Sequence, residues 1–183
     1  AVSCGGGGGG GGRGNPSVSG TGFGFFDKFG NTTSPASAND YPKIYGVNLP
    51  IILYFNDAIR PETCNNLSIN LVTIDDPLGQ AGYGGGHSAT VDYVVVNETQ
   101  LWIKPRIFFS PTQVSFGFLP DALYEIKFQT APSPHVVKSV SGRSITLTST
   151  SKPTAFRTPA VDDPDGYIYD DYPGPPHPFR FTL

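Results

Sequence analysis

Residues 47–63 read VNLPIILYFNDAIRPET. Ile51, Leu53 and Phe55 recur at every second position, which puts three large apolar side chains on one face of an extended chain. The same two-residue period returns downstream: Tyr124, Ile126 and Phe128 alternate with polar neighbours, and Ile145 and Leu147 alternate with Ser144, Thr146 and Thr148. No segment sustains the 3.6-residue apolar period of a helix. Strands are expected over 51–56, 67–74, 90–96, 100–104, 113–118, 123–129, 135–140, 144–148 and 155–158, with turn residues between them at roughly ten-residue spacing. Short strands so punctuated read as an all-β, antiparallel β-sandwich. Phe55, Trp102, Tyr124, Ile126 and Phe156 are the expected core.

Composition agrees with this reading and narrows function. The 183 residues include 23 Gly and 18 Pro, which disfavour helices. Charged residues are only 15% and aromatics 13%, the reverse of what intrinsic disorder requires. A formal charge of −3 removes the electrostatic case for nucleic acid as a partner. No apolar run reaches the roughly 18 residues that span a bilayer as a helix.

The chain divides into three parts by texture. Residues 1–42 form a Gly-rich and Phe/Gly-rich extension, 43–159 the sandwich, and 160–183 an acidic, Pro-rich tail ending in the short strand candidate FRFTL. Residues 5–12 are eight consecutive glycines, and Phe23 and Phe25 alternate with Gly22 and Gly24. A glycine run gives up about 1–2 kcal/mol of backbone entropy per residue on ordering and buries no side chain in return. Ordering it therefore calls for a neighbouring molecule that covers the segment and pairs its amides. Two segments have the pattern of donated strands: the Phe23/Phe25 alternation, and FRFTL, with Phe179, Phe181 and Leu183 on one face.

Chemistry-bearing residues are few. Cys4 and Cys64 are the only thiols, and either a disulfide or lipidation of Cys4 is open to them. Asp162, Asp163 and Asp165 offer oxygen ligands for Ca²⁺ but lack the spacing and terminal Glu of an EF-hand, so a solvated turn is the simpler reading. His87, His135 and His177 stand alone, with no zinc or haem-attachment spacing. The glycine run lacks the Gly-Lys-Ser/Thr ending of a phosphate loop, and no nucleophile motif appears. Trp102, Tyr83, Tyr93 and the tyrosines at 167, 169 and 172 are candidates for stacking on sugars; in a sandwich such residues ordinarily serve as core and rim. No enzyme activity and no cofactor are expected.

Two resemblances add to this. VNLPIILYFNDAIRPET, LPDALYEIKF, SVSGRSITL and AFRT occur in the order of landmarks of the bacterial Ig-like domains of S-layer and surface proteins, which the chain resembles over about residues 40–159. That resemblance implies an Ig-like sandwich acting as a spacer, adhesive or structural module, without catalysis. Ala1-Val2-Ser3-Cys4 resembles the lipobox of bacterial lipoproteins, which implies an outer-membrane lipid anchor at Cys4. The chain starts at Ala1 rather than Met, so removal of an N-terminal segment is expected, by lipoprotein processing or by an ordinary signal peptidase. Both routes lead to the bacterial cell surface or the extracellular space. The expected function is a structural subunit of an extracellular filament or surface layer, self-assembling through tail strands and an ordered Gly-rich segment. The alternative is a monomeric surface lipoprotein carrying an Ig-like adhesive or spacer domain on a Gly tether.

Overall fold

The structure is a computed structural model that describes residues 18–26, 31–33, 41–77, 89–109, 114–147 and 155–160. It is all-β. The strands are β1 (Val18–Phe26), β2 (Thr32–Thr33), β3 (Ile51–Phe55), β4 (Ile69–Asp75), β5 (Val91–Val96), β6 (Gln100–Pro105), β7 (Ile107–Phe109), β8 (Val114–Phe116), β9 (Leu123–Phe128) and β10 (Ala155–Arg157). A 3-10 turn, Pro61–Thr63, carries the chain from β3 toward β4. No helix among the described residues is long and apolar enough to cross a membrane.

Two antiparallel sheets face each other. One has five strands in the order β2-β1-β3-β6-β5, the other three in the order β10-β9-β4, and β7-β8 form a separate hairpin. Ile51, Leu53 and Phe55 of β3 all point into one core shared with Leu71, Tyr124, Ile126 and Phe128 of the opposite sheet. Aromatic rings join the layers: Phe23 stacks on Phe156 at 5.7 Å, and Phe55 on Phe128 at 6.2 Å. Phe156 also stacks on Tyr124 at 5.4 Å and meets Phe118 edge-on at 5.3 Å. Offset and edge-to-face pairs of this kind stabilise a core beyond the area they bury.

The sandwich starts earlier in the chain than residue 43. β1 pairs antiparallel with β3 of the same chain, Phe23 opposite Leu53 and Phe25 opposite Ile51. Phe23 and Phe25 are buried in the common core, so the alternation with glycine marks an inner strand of this sheet and not a strand offered to a neighbour. Phe55, Tyr124, Ile126 and Phe156 are buried as expected. Trp102 is not. Register puts Leu101 and Ile103 of β6 opposite Leu53 and Ile51 on the core face, which turns Trp102 to the outer face. There it lies half-buried, with Phe26 against it at 5.3 Å.

Residues 135–140 and 144–148 also differ from expectation. Val137 and Ile145 are fully buried, yet only isolated bridges form, Ile59 with Ser139 and Lys138 with Ser144. Local hydroxyl bonds intervene: Ser139 and Ser141 share a hydrogen bond at 2.8 Å, and Arg143 N donates to Ser139 Oγ at 3.2 Å. Such bonds compete with a regular ladder. At Gly117 the chain takes φ +118°, and a Cβ there would overlap the Val47 carbonyl, so the end of β8 requires glycine. Phe118 N then donates to Val47 O at 2.7 Å.

Candidate functional site: the open flank of the sandwich

The order of strands gives the sandwich two flanks. At one, β1 lies over β10 through the Phe23–Phe156 stack. At the other, β5 lies over β4, joined by the Tyr93 hydroxyl, which donates to the Ile69 carbonyl at 3.1 Å. This second flank carries two strand edges, since β4 pairs only with β9 and β5 only with β6 among the described residues.

The sequence of β5, VDYVVV, is dense in β-branched and aromatic residues and so favours extended backbone. Its alternation sorts the side chains. Val91 is buried, and Tyr93 and Val95 are half-buried at the rim of the core. On the outer face Val94 is 41% exposed and Asp92 is exposed. Asp92 Oδ1 accepts from Arg106 Nε at 2.8 Å, a bond that holds the guanidinium pKa above its ordinary value. Burial pushes the Tyr93 hydroxyl up to about 12, with a smaller push from Cys64 once that thiol ionises in alkali, so the phenol stays neutral.

Cys64 sits close by, at the end of the 3-10 turn. It is a buried thiol whose Sγ donates to the Arg60 carbonyl at 3.7 Å. Desolvation pushes its pKa up to about 11, which keeps it a thiol rather than a nucleophilic thiolate. Its candidate partner Cys4 lies outside the described residues, as do the glycine run, Asp162, Asp163, Asp165, Phe179, Phe181 and Leu183. Tyr83, His87, His177 and the tyrosines at 167, 169 and 172 lie outside them too. His135 is exposed, and no cluster of three His, Cys, Asp or Glu that could hold a metal occurs among the described residues.

The structure therefore gathers one group of features that the motif reading did not: the β5 edge, with Tyr93 and Val95 at its rim and Asp92 beside it. The signal present in the sequence was the run of β-branched residues with a single charge. That it lies at an edge depends on strand order, which no local pattern encodes. The chain matches no protein-family model, no curated protein and no solved structure.

Proposed function

We propose that this chain is a non-enzymatic structural subunit of an extracellular filament or surface layer on a bacterial cell. Its Ig-like body is joined to further copies of itself by a tail strand, with the glycine run of residues 5–12 covered by a neighbour. The observation that carries this reading is the open β5 edge beside a rim of half-buried apolar side chains. An unpaired edge is a template for another strand, and soluble domains ordinarily blunt it. The buried ionisable groups support a structural role: Cys64, Tyr93 and Tyr124 are all held in their neutral, unreactive forms. Because β1 is built into its own sheet, residues 179–183 are the tail left to donate.

The test is removal of residues 179–183. The truncated protein is expected to stay folded and to sediment as a monomer, while the full chain forms higher assemblies visible by electron microscopy. Equal sedimentation of the two proteins would overturn the reading. A monomeric full chain whose N-terminal mass carries lipid on Cys4 would put a tethered spacer in its place.

A further inference from the structure

The two edges of the open flank differ in how much of their backbone is already used. Gln129 N donates to Ser68 O at 2.8 Å. In the antiparallel register Asn70 and Val72 therefore turn their peptide groups to β9, and Ile69 and Leu71 turn theirs outward. The first of these outward positions is satisfied: Ile69 N donates to Asn65 O at 2.9 Å, and its carbonyl accepts the Tyr93 hydroxyl. Along β5, Arg106 N donates to Thr90 O at 2.9 Å. Asp92, Val94 and Val96 therefore face β6, and the peptide groups of Val91, Tyr93 and Val95 point out of the sheet. No strand among the described residues pairs with them.

A strand laid along this edge has two demands to meet. One face needs an apolar row, to finish the rim over Tyr93 and Val95. The other face runs beside Asp92, whose Oδ1 is held by Arg106 and whose second carboxylate oxygen can accept from one further donor. Residues 179–183 meet both, because Phe179, Phe181 and Leu183 alternate with Arg180 and Thr182. Residues 173–178, PGPPHP, form a spacer ahead of them that in polyproline II conformation spans about 19 Å, at ~3.1 Å per residue.

Resting on the tail-strand reading above, we propose that β5 is the acceptor edge and receives residues 179–183 of a second copy as a sixth strand. Phe179, Phe181 and Leu183 cover Tyr93 and Val95, and Arg180 lies beside Asp92. The last described residues follow β10, on the flank opposite β5. A tail strand handed from each copy to the β5 edge of the next makes a head-to-tail contact, which propagates into a filament or closes a ring.

The experiment uses the full chain. Val95→Pro removes one outward N–H without touching the β5–β6 ladder, and edge positions tolerate proline. Asp92→Lys sets two cations together, and Arg180→Asp in that background restores an opposite-charge pair. Sedimentation is expected to show about a two- to tenfold loss of association for Val95→Pro, as for loss of one main-chain hydrogen bond. Asp92→Lys is expected to weaken assembly and the double variant to recover it. If Val95→Pro fails to fold, the charge exchange alone decides. Removal of residues 179–183 that dissociates the protein while Val95→Pro and Asp92→Lys assemble like the parent would overturn β5 as acceptor and leave tail-strand assembly standing. If truncation too has no effect, both readings fall. A monomeric full chain whose Tyr93 and Val95 amides are protected from exchange, and lose protection on truncation, would show the edge covered by its own tail and overturn the intermolecular contact.

Discussion

Where β1 lies over β10, further backbone is laid along the strands. β2 pairs with the end of β1, and Ile44 N donates to Arg157 O while Arg157 N donates to Pro42 O, both at 2.9 Å. Where β5 lies over β4, the five-stranded ladder ends at β5 among the described residues, and one phenol bond ties the two sheets. The cores beneath differ in the same sense. Phe23, Phe118, Tyr124 and Phe156 pack ring against ring at the closed flank, whereas Tyr93 and Val95 stand half-buried at the open one. The contrast separates two kinds of edge within one small domain: the closed flank is pinned by stacked rings and added backbone, and the open flank leaves the outward peptide groups of β5 outside any ladder among the described residues.

The largest effect is expected at the closed flank. Phe156 is fully buried and touches Phe23, Phe118 and Tyr124, so Phe156→Ala removes the ring that links both sheets. Urea unfolding should show a loss of about 3–5 kcal/mol. A loss under about 1 kcal/mol would mean that this aromatic cluster does not anchor the sandwich.

Alkali comes next, acting on both flanks. Tyr124 is fully buried, and burial raises its hydroxyl to about 12 from 10.0 although Leu119 N donates to it at 2.8 Å, which favours the phenolate. Tyr93 rises to about 12 and Cys64 to about 11, each chiefly through desolvation. The folded state thus binds more protons than the unfolded chain at high pH, so stability is fully present below about pH 9 and falls as pH rises toward 12. For Tyr124 a shift of that size corresponds to roughly 2–3 kcal/mol. Urea midpoints across this range should fall, and Tyr124→Phe and Tyr93→Phe should each flatten the profile. A profile that neither substitution changes would show that burial does not hold these phenols neutral.

A third expectation concerns a buried hydroxyl at the closed flank. Thr158 Oγ1 accepts from Ala122 N at 2.9 Å and donates to the Leu119 carbonyl at 2.6 Å. Thr158→Val keeps the shape and leaves both backbone groups short of a partner, at a cost of about 1–3 kcal/mol in the unfolding free energy. A neutral substitution would show that water reaches this site.

Much of the strand content is legible in the chain, because the two-residue period of Ile51-Leu53-Phe55 or Tyr124-Ile126-Phe128 is a local property. What sequence leaves open is anything that depends on pairing at a distance. Phe23 and Phe25 announce a strand, but nothing local says that β3 of the same chain is its partner. In QLWIK, Trp102 shares its face with Gln100 and Lys104 while Leu101 and Ile103 share the other, and the register with β3 takes the Leu101/Ile103 face in and turns Trp102 out. Residues 107–109 carry no polar/apolar alternation, since Ile107, Phe108 and Phe109 are all apolar, and so give no strand signal of their own. The candidate site is the extreme case. VDYVVV reads as a strand at once, yet an edge is defined by which strand is missing beside it.

The smallest effect is expected at the open flank itself, and it sharpens the contrast most directly. Tyr93→Phe removes the one hydroxyl that ties β5 to β4 and leaves the Ile69 carbonyl without that donor. The ring stays, so the packing of the rim is kept and only the hydrogen bond is lost, worth about 0.5–1.5 kcal/mol. Water reaches a carbonyl at an open rim and replaces much of the bond, whereas at the closed flank Thr158 is 1% exposed and its partners find no substitute. Urea unfolding of Tyr93→Phe in the truncated, monomeric protein should therefore cost less than Thr158→Val in the same background. In the assembled full chain the difference should shrink, because a strand added along β5 excludes water from the same rim. If Tyr93→Phe costs as much as Thr158→Val in the truncated monomer, the β4–β5 flank is as dry as its counterpart and holds no edge for a partner strand.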